Sequence, residues 1–204
     1  MKKCVCSAVM LSVIAVFVWA QQSRNETSDR GYFIDAGILY NYEKIGADPK
    51  IENTGISYLL GLGYDLGDVN IHLFFSPMLS TEVTHSGDEY GEGGDVMDVY
   101  NLGVGFNIGI KLINSNTFDM TLPVGILFRS STLKMEQGGE RDFVYKYLNI
   151  EWGLVLSWAF ESITLLVPFY VGYPISKTNE VTNYAQKDFA VTHYNVGLSM
   201  RRTF

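Results

Sequence analysis

The chain has 204 residues, 47% of them hydrophobic and 14% aromatic, and a formal net charge of −7. That length fits one domain, and an acidic chain with no basic cluster excludes nucleic acid as a partner. The only two cysteines, Cys4 and Cys6, lie at the extreme N-terminus, so no disulfide framework or thiolate chemistry is expected in the body of the protein.

Residues 1–20 read as a secretory signal peptide. Lys2 and Lys3 form the basic start, an apolar run follows through Val18, and Val18-Trp19-Ala20 closes it with cleavage expected after Ala20. The run from Cys4 to Trp19 is short for a membrane span of roughly 20 residues. Both cysteines leave with it. Residues 21–30 are polar and aperiodic, which suits a short disordered lead-in. Residues 31–204 then carry one kind of pattern throughout.

That pattern is alternation with period two, the mark of a β-strand whose two faces meet different surroundings. The first segment places Tyr32, Ile34, Ala36, Ile38, Tyr40 and Tyr42 on one face, and the second Ile56, Tyr58, Leu60, Leu62, Tyr64 and Leu66. A third runs from Val69 to Phe75. The fourth is the clearest, with Tyr100, Leu102, Val104, Phe106, Ile108, Ile110 and Leu112 interleaved by Asn101, Gly103, Gly105, Asn107, Gly109 and Lys111. Further segments follow over 118–128, 148–158 and 163–173, and the last runs from His193 to the terminal Phe204. Eight segments with no helical period predict an all-β chain, an eight-stranded antiparallel up-and-down transmembrane β-barrel.

Connection lengths alternate as such a barrel requires. The links at Gly67-Asp68, Asn114–Asn116 and Phe160–Ser162 are tight, whereas Glu43–Gly55, Thr81–Asp98 and Glu136–Asp142 read as long loops. The apolar phase is almost free of charge. Ten of the twenty glycines fall on the other phase, where a narrow barrel has least room. The apolar phase therefore faces lipid. Its aromatics gather at two heights, Tyr32, Tyr64, Phe118, Trp158 and Phe204 at the turn end and Tyr40, Tyr42, Tyr58, Tyr100, Phe128, Tyr173 and Tyr194 at the loop end, as at two membrane interfaces. Pro77, Pro123, Pro168 and Pro174 interrupt strand patterns, so missing ladder bonds or bulges are expected beside them.

The final segment, with Tyr194, Val196, Leu198, Met200 and Phe204 on one face and an aromatic carboxy-terminus, resembles the C-terminal strand of bacterial outer-membrane β-barrels. The resemblance implies residence in the cell outer membrane, contact with outer-membrane lipid, and Phe204 as the signal read by the barrel-assembly machinery. Arg202 departs from that family's pattern on the apolar face, where a long side chain is expected to snorkel to the interface.

Charges on the inward phase need partners. Lys111 and Asp119 face each other about the Asn114–Asn116 turn. Closing the last strand on the first, with Phe204 level with Tyr32, puts Arg201 opposite Asp35, and Arg129 and Glu151 take matching positions about the third long loop. Three such pairs suggest a plugged core, similar to small OmpA-like barrels. The same phase holds Phe33, Leu39, Leu59, Phe74, Leu127, Leu166 and Tyr170, and in this it resembles the OmpW kind of barrel, which implies passage of small hydrophobic solutes. The alternative is that these side chains fill a closed structural or adhesive barrel whose loops meet host ligands. Catalysis would draw on His193 or His85-Ser86, which no motif frames, so the chain is read as no enzyme, with neither cofactor nor metal. The acidic, glycine-rich stretch Thr81–Asp98 reads as a solvated loop.

Overall fold

In a computed structural model, residues 30–46, 50–86, 96–135, 141–161, 163–180 and 190–204 are described. They form β1 (Arg30–Gly46), β2 (Lys50–Leu66), β3 (Val69–Ser86), β4 (Val96–Asn114), β5 (Phe118–Met135), β6 (Arg141–Phe160), β7 (Ile163–Glu180) and β8 (Ala190–Thr203). Each pairs antiparallel with its sequence neighbour, and β8 closes on β1, so the barrel has no free edge along its wall. At the closing seam Phe33 pairs with Thr203, and the Phe204 N–H donates to the Tyr32 carbonyl at 2.8 Å.

The apolar phase points outward. Leu60 is 50% exposed, Leu62 60% and Leu198 53%, whereas Leu127 on the opposite phase is fully buried. A belt of that kind is stable only against hydrocarbon, because in water each of these side chains forfeits most of its transfer free energy. Glycines on the inner phase let side chains cross the lumen: a Cβ at Gly61 would fall on the His72 ring, and one at Gly172 on the His193 ring. Gly67 adopts φ 101° at the tight β2–β3 turn, a conformation that other residues rarely accept.

The strands run further than the alternation indicates. Glu43–Gly55 is largely strand, paired as far as Ile45 with Ile51. The β5–β6 hairpin stays paired to Met135 with Arg141, and β3 and β4 take up both ends of Thr81–Asp98. Beyond the loop-end aromatics the outward positions become Lys44, Glu52 and Thr54. Lipid no longer demands an apolar side chain there, so the periodic signal fades while the backbone ladder continues. Two seams end sooner. Among the described residues, β3 and β4 pair no further than Leu79 with Tyr100, and β7 and β8 no further than Gly172 with His193.

The prolines sit at breaks in the ladder. Pairing skips the positions beside Pro77 toward β2, beside Pro123 toward β6 and beside Pro168 toward β8, and the register shifts where Asn149 meets Pro174. On the other side the ladder is kept, where Pro77 pairs with Leu102, Pro123 with Gly109 and Pro168 with Val155.

Candidate functional site

Among the described residues the lumen is where the fold concentrates charged and polar side chains, and it is layered. Nearest the turns, Lys111 Nζ lies 3.0 Å from Asp65 Oδ2 and 3.9 Å from Asp119 Oδ2. The expected Lys111–Asp119 pairing is thus the longer of two contacts. A bulge between Lys111 and Ile113 puts Lys111 opposite Thr121 and leaves Asp119 beside Asn114. Asp65, two residues before the Gly67 turn, is the partner that the sequence reading missed, although it lies on the inward phase. Its Oδ1 accepts the Gly67 N–H at 2.9 Å.

The next layer is the closing seam. Asp35 lies across from Arg201, whose Nε and Nη2 donate to the two carboxylate oxygens at 2.8 and 2.9 Å. The guanidinium also covers the Phe33 ring, 3.7 Å from its centroid, which fixes its plane. His72 Nε2 lies 3.4 Å from Asp35 Oδ2 and has no hydrogen-bond partner. Around these two layers is a cavity of about 360 Å³ that opens among the turn residues Ser115 and Glu161 and reaches inward to Leu59 and Tyr170. Arg202 borders it and does not extend to the interface: the side chain is buried, with its guanidinium 5.0 Å from the Phe204 ring centroid.

Above the cavity the lumen is packed. Leu39, Leu59, Phe74 and Leu127 form one buried cluster, Val155, Leu166 and Tyr170 another, and the Phe74 and Tyr170 rings stack at 6.4 Å across the bore. Of the side chains predicted to line an apolar passage, Leu39, Leu59, Phe74 and Leu127 pack together, Leu166 packs with Tyr170, and Phe33 lies under Arg201, while Leu59, Leu166 and Tyr170 also border the cavity.

The loop-end layer is polar and buried. Glu43 accepts from Arg129 Nη1, from the Tyr147 hydroxyl at 2.6 Å, and from the side-chain amides of Asn53 and Asn101 at 3.3 and 3.1 Å. Beside it His193 Nε2 lies 2.6 Å from Glu151 Oε1, and His193 Nδ1 2.6 Å from Asn149 Nδ2. The expected Arg129–Glu151 pair is corrected by this arrangement. Across the β5–β6 ladder Arg129 meets Tyr147 while Glu151 meets Gly125, so the two are four positions apart; Arg129 takes Glu43 from the far wall and Glu151 takes His193 from the next strand but one. The alternation alone assigns Glu43 to a loop, yet Asp35, Leu39, Asn41 and Glu43 keep one inward phase, a signal present in the sequence. His193 is buried between Glu151 and Asn149, not exposed at a loop. The side chain of His85 lies outside the described residues. Among the described residues no group of three His, Cys, Asp or Glu side chains converges to hold a metal ion.

No protein-family model matches the chain, and no curated protein matches it. Among solved structures it is similar to Neisserial surface protein A, with a TM-score of 0.61 and 10% identity over 85% of this chain and 97% of that one. A major outer membrane protein from Thermus thermophilus gives 0.53 and 9% over 83% and 99%. Ail, the attachment invasion locus protein of Yersinia pestis, in complex with the heparin analogue sucrose octasulfate, gives 0.51 and 12% over 85% and 99%. At such identities the likeness is one of fold: this chain has the architecture of small bacterial outer-membrane β-barrels.

Proposed function

We propose that this protein is an outer-membrane barrel that seals its own lumen and serves as a rigid surface scaffold, holding its loop-end strands and loops toward the cell exterior with the tight turns in the periplasm. The observation that carries this reading is the stack of the Leu39, Leu59, Phe74 and Leu127 layer under the Glu43–Arg129–Tyr147 network, each of these side chains at most 5% exposed. An eight-stranded bore is narrow enough for side chains to fill it, and here both apolar and charged side chains do so. Glu43, with four donors, has a complete shell without water. Passage of small hydrophobic solutes along the axis would require both layers to separate. The alternating exposed belt and the aromatic carboxy-terminus support outer-membrane residence and delivery through the assembly machinery. Planar-bilayer recordings of refolded protein test the reading: silence at all voltages below dielectric breakdown is expected, and discrete, reproducible openings would overturn it.

A further inference from the structure

We propose that the open edge of β3 above the membrane, Glu82–Ser86, is a docking site for an extended, basic segment of a partner polypeptide, which adds to it as a strand. The proposal gives the surface scaffold a partner chemistry, and it rests on that reading for which end of the barrel faces outward.

The wall does not stay closed to its upper rim. β8, β1, β2 and β3 remain paired up to Gly46 with Ala190, Ile45 with Ile51 and Lys50 with Ser86. β4, β5, β6 and β7 remain paired up to Val96 with Met135, Met135 with Arg141 and Val144 with Glu180. Between these two four-stranded lobes the described residues form no pair beyond Leu79 with Tyr100 on one side and Gly172 with His193 on the other. Bulges mark both openings. Thr81 is the extra residue opposite Thr54 and Gly55, Met97 opposite Lys134 and Met135, and Ile175 opposite Leu148 and Asn149. A bulge bends its strand and raises the local twist, which turns facing edges apart.

An open edge bares a row of main-chain N–H and C=O groups, a template for another strand that folded proteins blunt with proline, lysine or very short edges. One of the two openings is blunted. There β7 has Pro174 and Lys177, and β8 extends only over Ala190–Thr192. The other is not. Above its bulge β3 runs regularly from Glu82 with Thr54 to Ser86 with Lys50, five residues without proline or lysine. Pairing with β2 holds this edge extended in advance, so an added strand meets a preorganised partner. The edge lies level with Thr54 and Glu52, beyond the aromatic belt, and so in water rather than lipid. Charge selects among extended segments. The stretch Thr81–Asp98, which carries both edges of this opening, has six acidic residues and no lysine or arginine. It attracts a strand with Lys or Arg side chains and repels an acidic one.

Amide hydrogen exchange, followed by NMR on full-length protein in lipid nanodiscs, tests the proposal. The probe is a capped peptide of alternating threonine and lysine, about seven residues long. Two controls change one property each: glutamate replaces every lysine, or every main-chain nitrogen is methylated so that no strand can be added. In the free protein alternate amides of Glu82–Ser86, those pointing away from β2, should exchange freely. The lysine peptide should slow them saturably by at least about tenfold and leave the amides of Tyr173–Glu180 unchanged. The glutamate peptide should bind at least about tenfold more weakly, and the methylated one should not bind. Open-side amides already slow in the free protein would mean that the chain fills its own opening. Slowing that grows with protein concentration and needs no peptide would mean a second copy. Either result, no response to the lysine peptide, equal affinity for the lysine and glutamate peptides, or binding of the methylated peptide would overturn the proposal. Channel openings in the bilayer recordings would overturn the sealed lumen without changing exchange at Glu82–Ser86, so the two readings fail separately.

Discussion

The two ends of the lumen solve the same problem in different ways. At the loop end Glu43, Arg129, Tyr147 and His193 are between 0% and 1% exposed, and Glu43 is paired with Arg129 out of solvent, although Arg129 Nε has no hydrogen-bond partner. At the turn end the Arg201 and Asp119 side chains keep 13% and 24% of their surface, and the ion pairs border a cavity. A charge that has lost its water depends wholly on its partner, whereas one beside a cavity can be solvated again when the partner is removed. Energetic weight should therefore fall from the loop end to the turns, although the pairs look alike on paper.

Glu43→Gln tests the heavy end. It keeps the shape and leaves Arg129 buried without its counter-ion, so about 3–5 kcal/mol should be lost in urea unfolding followed by gel shift. A loss as small as that of a surface pair would mean that water reaches this layer and that the contrast between the ends is false. Arg201 and Asp35 come next. Arg201→Met and Asp35→Asn should each cost about 2–3 kcal/mol, since charged hydrogen bonds are broken within reach of the cavity. The double variant should recover much of the loss, and additive effects in that cycle would mean that the seam pair is not coupled. Lys111→Met should have the smallest effect, about 1 kcal/mol, because Asp65 keeps its bond from the Gly67 N–H and Asp119 its bond from Ser115. Should Lys111→Met cost as much as Glu43→Gln, the turn end would be as dry as the loop end, and the cavity would hold no solvent.

What could be read in advance followed the lipid boundary. Between the two aromatic belts each outward position had to be apolar, so the period of two revealed strand, facing and count together. The seam between Asp35 and Arg201 followed from the terminal Phe204, because a strand that ends at the rim leaves one register that keeps both its faces in place. Beyond the belts the same reasoning fails. Lys44 and Glu52 break the outward pattern, so Glu43 reads as loop, and with Glu43 misplaced, Arg129 is left to the wrong carboxylate. The phase of Asn41 and Glu43 could have prevented this. Nothing in the order of residues could have placed the Lys111 bulge.

By itself the sequence determined which phase of each strand faces lipid, the buried Arg202 excepted, how many strands close the wall, and which strands meet at the closing seam. These depend on alternation between two solvents, a property local to each strand. Apart from the seam pair of Asp35 and Arg201, only the tertiary structure decided who pairs with whom inside. Those contacts cross the bore between strands that are not neighbours, as from Asp65 on β2 to Lys111 on β4 and from Glu43 on β1 to Arg129 on β5. They depend on side-chain reach, on glycines that clear the way for the His72 and His193 rings, and on bulges that move a side chain by a residue. A one-dimensional pattern carries the phase of each strand, but not the distance across a barrel.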